Sequence, residues 1–193
     1  MLTGALLAAV SGALLKLADD LVDRAGRRRA ALLPGALAAL FAVASVPMGV
    51  GPELYLGLTL GNGVAGKLDE PCHWVAAVAV TVGAVLLAPR GPGAVPLLLI
   101  ALLAAVDELV HPWDPWGLRP VLKVGVVVGW LAGLLDWGVT VAALAFDLGY
   151  HAGELVGVRW VVRAEDAPHR GAGRGSGAGG GAGGAAGWAR GRV

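Results

Sequence analysis

Apolar residues along this chain come in long runs. Six of them reach or approach the length of a membrane-spanning helix: Leu2–Ala18, Ala30–Gly51, Leu54–Leu68, Trp74–Ala88, Gly93–Val110 and Val121–Phe146. A hydrocarbon core about 30 Å thick needs about 20 apolar helical residues, with about 17–25 acceptable. The third run is short and broken by Gly57, Gly61, Asn62, Gly63 and Gly66. Glycine lets neighbouring helix backbones approach closely, so this run reads as a span packed inside the others. The pattern predicts an all-α, polytopic membrane bundle of about six transmembrane helices, or five if the third run only dips into the bilayer.

Polar residues punctuate these runs at three corresponding places. Aligned on paired acids, they read Asp19-Asp20-x-x-Asp23, Asp69-Glu70-x-x-His73 and Asp107-Glu108-x-x-His111. Seven of the chain's 14 acids and two of its four histidines sit in these three pentapeptides. The clusters close the first, third and fifth runs. The predicted unit is therefore a helical hairpin repeated three times, with a period of 40–50 residues. Pro71 disturbs the second copy, because proline breaks a helix interior. His73 is accordingly expected to begin the next helix.

Charge sets the orientation. Basic residues in short loops stay in the cytoplasm. Arg24, Arg27, Arg28 and Arg29 follow the first run, and Arg119 and Lys123 follow the fifth, whereas the loops after the second and fourth offer only Arg90. The three acidic clusters then share the cytosolic side of a multi-pass protein of the cell membrane. Arg159, Arg163, Arg170 and Arg174 follow the sixth run, and an even number of spans places them outside, against the same rule. The first run has no basic residue before it and no small-x-small cleavage site, so it reads as a retained helix and not as a signal peptide.

Composition supports the membrane class. Apolar residues make up 56% of the 193 and charged residues 15%, against about 25% charged in soluble domains. The net charge of +1 identifies no acidic partner. The single cysteine, Cys72, excludes an intrachain disulfide and reads as a small buried thiol. Residues 1–150 form the expected bundle and 151–170 a membrane-flanking segment. Residues 171–193 form a Gly/Ala/Arg-rich tail, which cannot bury enough surface to offset its ordering entropy. It reads as an inert disordered tail with no specific nucleic-acid partner.

Residues three and four apart share a helix face, so each cluster aims two or three ligands to one side. The expected metal ligands are Asp19, Asp20, Asp23, Asp69, Glu70, His73, Asp107, Glu108 and His111. Oxygen-rich sites suit Mg²⁺ and Mn²⁺, placed here ahead of Zn²⁺ and Fe²⁺, which imidazole favours. Two Glu-x-x-His-like pairs on separate helices share part of the ligand pattern of di-iron bundles. Asp19-Asp20-x-x-Asp23 also resembles the aspartate-rich DDxxD motif of polyprenyl diphosphate enzymes, over five residues. That resemblance implies that these acids hold Mg²⁺ against a diphosphate. Lys67, Arg119 and Lys123 would then receive phosphate oxygens.

Three further polar residues fall inside the runs: Asn62, Asp136 and Asp147. An acid at mid-membrane costs about 2.5–3.5 kcal/mol on insertion scales, and Asp136 lies near the middle of the sixth run. Eleven residues is about three helical turns, so Asp136 and Asp147 are expected on one face. Trp113 and Trp116 suit an interfacial anchor. The functions weighed are metal-dependent chemistry on a phosphorylated or diphosphorylated (prenyl) membrane lipid, divalent-cation transport with Asp136 on the path, and a structural subunit without chemistry. Nothing in the sequence sets the oligomeric state.

Overall fold

A computed structural model describes residues 1–113 and 120–165, with side chains through Leu155. Among these residues are seven α-helices and no strand: α1 (Leu2–Asp23), α2 (Arg28–Ser45), α3 (Pro52–Val64), α4 (Pro71–Leu87), α5 (Ala94–Val110), α6 (Pro120–Leu131) and α7 (Trp137–Glu165). Short 3-10 turns, Val46–Met48 and His111–Trp113, follow α2 and α5. Arg119 and Trp116 lie outside the described residues, as does the tail from residue 166.

The first five runs each become one helix; the sixth becomes two. The break lies at residues 132–136. Gly133 adopts φ 71°, its N–H donates to Trp130 O at 2.9 Å, and the N–H of Leu134 donates to Gly129 O at 2.8 Å. This is a Schellman terminus, in which a left-handed glycine satisfies the last carbonyls of a helix. Asp136 then takes the N-cap position of α7, its carbonyl accepting from Thr140 N at 3.1 Å. Asp136 is therefore exposed in a turn. The expected mid-membrane acid sharing a helix face with Asp147 is not found.

The extra helix changes which end the C-terminal segment reaches. α1 and α7 run parallel and very close: a Cβ on Gly149 would collide with the Ala9 carbonyl, and one on Gly12 with that of Phe146. Arg24 reaches Glu154 across the pair, Nη2 to Oε1 3.2 Å. Farther along α7, Arg159 and Arg163 therefore come to the same end as Arg24–Arg29.

Neighbouring helices pack in the order α1, α2, α4, α3, α5, α6, α7, and α7 closes the ring onto α1. The second hairpin is inserted backwards relative to the other two, so the expected threefold arrangement of equivalent hairpins is not formed. Large apolar side chains lie both outside and inside the ring, with Leu54, Ile100 and Val126 fully buried. Leu2, Leu33, Leu86, Leu102, Leu131 and Leu148 face outward, while alanines such as Ala8, Ala39, Ala84, Ala104 and Ala142 fill the inside beside buried Asp20, Asp107 and Asp147. Two segments, Arg28–Met48 and Ala94–Trp113, are long and apolar enough to cross a membrane by length and composition.

Candidate functional site

A cavity of about 380 Å³ lies inside the ring toward its basic end. All seven helices contribute to its wall, and so do all three acidic clusters. Asp19 and Asp23 come from α1, Asp69 and His73 from the start of α4, Asp107, Glu108 and His111 from the end of α5, and Asp147 from α7. Lys16 and Lys67 are the basic side chains on the same wall. The clusters thus meet on one space, although their local structures differ. Asp19, Asp20 and Asp23 lie within α1, whereas Asp69 and Glu70 precede α4, with Pro71 at its first position. Proline is pre-organised for that position, so His73 does begin α4.

In the first two pairs the two acids do not behave alike. Asp20 is 2% exposed and turned from the cavity; its Oδ1 lies 3.1 Å from Lys16 Nζ and 3.4 Å from Arg24 Nε. Glu70 also lies off the wall and pairs with Arg28 at 3.0 Å. Asp19 and Asp69, by contrast, face the cavity through His73. His73 Nε2 is 2.8 Å from Asp19 Oδ1, and its Nδ1 is 3.3 Å from Asp69 Oδ1. The second Asp19 oxygen accepts from Tyr150 OH at 2.6 Å. One carboxylate thereby joins α1, α4 and α7. The Asp19 hydrogen bond raises the His73 pKa above its ordinary value; burial opposes the shift and Asp69 adds to it.

The third cluster is tied to the fold. Asp107 Oδ1 accepts from Val121 N at 3.0 Å and Leu122 N at 3.2 Å. These are first-turn N–H groups of α6, which no intrahelical carbonyl can satisfy. Glu108 lies 3.6 Å from Lys67 Nζ. Lys123 is engaged with Asp147 Oδ2 at 3.1 Å and His151 Nε2 at 3.1 Å. Asn62, on α3, lines the cavity. Among the described residues, no three histidines, cysteines or acids form a group able to hold a metal ion. Three buried polar atoms lack a hydrogen-bond partner there: Asp20 Oδ2, Glu70 Oε2 and His111 Nδ1.

Sequence reasoning missed Tyr150 and the deeper lining residues Ser11, Tyr55 and Thr59. For Tyr150 a signal existed: it lies three residues after Asp147, hence on the same face of α7. Cys72 is buried against Gly35, as a small thiol should be. Trp113 is exposed at the cavity end of α5. The chain matches no protein-family model, no curated protein and no solved structure.

Proposed function

We propose that this chain is a multi-pass membrane protein whose helix ring holds a phosphorylated or diphosphorylated lipid through a divalent metal at its cytosolic end. Chemistry on that phosphate would depend on the metal. The observation that carries this reading is the charge of the cavity wall: six carboxylates face two lysines. Such a wall attracts cations and repels a bare phosphate, so a phosphate enters as its metal complex. Mg²⁺ suits this role, because it keeps several waters and binds through one or two carboxylates plus substrate phosphates. Asp19, Asp23 and Asp69 are the acids best placed for it, since Asp107 already serves α6. Lys16 and Lys67, on the same wall, would receive phosphate oxygens, and the metal's charge would stabilise the leaving phosphate.

The outward leucines and valines support the lipid setting, and the basic end supports the cytosolic assignment. The other end of the ring weighs against a conduit. Beyond the Ser45–Tyr55 hydrogen bond the interior is filled by Val46, Val50, Leu54 and Val139, and Asp136 lies past that plug. Melting curves of the detergent-purified protein test the proposal. Mg²⁺ or Mn²⁺ together with inorganic diphosphate should stabilise it more than either alone, by about 2.7 kcal/mol at a hundred times Kd. Asp19→Asn and Asp69→Asn should each reduce that gain. No stabilisation by any combination would overturn the reading.

A further inference from the structure

We infer that Tyr150 sets which divalent ion the cavity prefers, by keeping one oxygen of Asp19 and so holding that carboxylate to a single metal bond. This rests on the metal–phosphate reading above. Asp19 is the most enclosed of the three acids assigned to the ion. Its side chain is 19% exposed, against 69% for Asp69, and Asp23 is exposed as well. Both Asp19 oxygens are already in use. Oδ2 accepts from Tyr150 OH at 2.6 Å, and Oδ1 lies 2.8 Å from His73 Nε2. An ion that binds Asp19 must displace one of these partners or compete with it for charge.

The two partners are not held equally. Tyr150 stands where α1 and α7 touch backbone to backbone: a Cβ on Gly12 would meet the backbone of Phe146 and Tyr150, and those on Gly149 and Gly153 would meet Ala9 and Ala13. Small residues permit that approach, and it leaves the Tyr150 backbone little room to move. Lys16 Nζ also lies over its ring, 5.3 Å from the centroid. A hydroxyl this close to a carboxylate makes a charge-assisted bond, roughly twice as strong as a neutral one. His73, in the first turn of α4, has a second acid in Asp69, whose exposed side chain can move with it. The ion therefore takes Oδ1 from His73, and Tyr150 stays on Oδ2. Mg²⁺ is satisfied by single carboxylate oxygens and waters in an octahedron of bonds about 2.0–2.1 Å long. Ca²⁺ gathers about 6–8 oxygens at about 2.3–2.6 Å, and bidentate carboxylates help to supply them. Tyr150 denies it that second oxygen. It is a specificity-determining residue that acts through Asp19 and does not touch the ion.

The test is calorimetric titration of the full chain in detergent with Mg²⁺ and with Ca²⁺, each in the presence of methylenediphosphonate. Tyr150→Phe should raise the affinity for Ca²⁺ relative to Mg²⁺ by at least about fivefold, within the coupling expected of residues in contact. Loss of packing or stability alone would weaken both ions alike and leave their ratio where it was. In an Asp19→Asn background the same substitution should not move the ratio, because the amide offers only one oxygen. An unchanged ratio in Tyr150→Phe, or an equal shift in the Asp19→Asn background, overturns the inference while leaving the metal–phosphate reading intact. Failure of the native protein to bind either ion with the diphosphonate overturns that reading, and this inference with it.

Discussion

Acids at the two ends of the ring have different surroundings. At the end holding the α6–α7 turn, Asp136 occupies a helix N-cap, and Glu53 Oε1 accepts the Gly93 N–H at the start of α5 at 2.9 Å. Each stands by a helix N-terminus, where negative charge is favoured, and the fold accounts for both. At the basic end Asp107 plays the same part for α6, and Asp20 and Glu70 have arginine or lysine partners. Asp19 and Asp69 share a single base, His73, between them, and Asp23 stands by no helix N-terminus. Asp23 and Asp69 are exposed on the rim, and Asp19 is shared between a histidine and a tyrosine on two other helices. An acid that a fold needs can be recognised by the terminus or base it satisfies. The acids left over mark the place where a cation is expected.

Removing an acid of the first kind should do the most damage. Asp20→Ala leaves Lys16 and Arg24 facing a buried site without their carboxylate. Losing one partner of a buried pair costs about 3–5 kcal/mol, and partial exposure of Arg24 places the expected loss near the lower figure, about 3 kcal/mol. Asp23→Ala, on the same helix but exposed, should stay within about 0.5 kcal/mol. Detergent melting curves of both variants decide the matter. Equal losses would erase the distinction between paired and unpaired acids.

Next comes a contrast across the ring. Asp107→Ala strands two N–H groups at the start of α6, at about 1–3 kcal/mol, and Asp107→Asn should recover most of it by keeping an acceptor. Asp136→Ala removes an exposed cap side chain and should cost less, about 0.5 kcal/mol. If Asp136→Ala proved the more damaging, Asp136 would be a buried membrane acid after all.

Much of this arrangement was legible in the chain. Runs of apolar residues gave the first five helices, and members of all three acidic clusters line one cavity, though Asp20 and Glu70 do not. Pro71 announced the start of α4. What the runs concealed was the turn inside Val121–Phe146, because Leu131, Leu134 and Leu135 keep hydropathy high straight through it. Its signals were local: a glycine at residue 133, an aspartate just before Trp137, and a run at the upper limit for one span. Missing that turn placed Asp136 inside a helix, whereas it is exposed at the start of α7. Which acid of the first two pairs faces inward was not legible. It depends on the ring order, and α2 packing on α4 is a tertiary choice that small residues such as Gly83 and Gly35 permit without dictating.

The smallest expected effect belongs to His73, and it tests how the rim acids are held when no metal is present. The ring sits between two carboxylates, Asp19 at 2.8 Å and Asp69 at 3.3 Å. Protonated, it can donate to both; neutral, it donates to one and turns a lone pair toward the other. Its pKa is accordingly raised above 6.5 in the folded protein. A group whose folded pKa exceeds its unfolded value contributes stability that is complete below the unfolded pKa and lost as pH rises through the folded one. In EDTA, the melting temperature of the native protein should therefore fall relative to that of His73→Gln as pH climbs above about 6.5. Below that pH the difference between the two should be constant. A difference that stayed flat from pH 5.5 to 9 would mean that His73 does not hold Asp19 and Asp69 as a cation. The rim would then carry its excess of carboxylates without any counter-charge from His73.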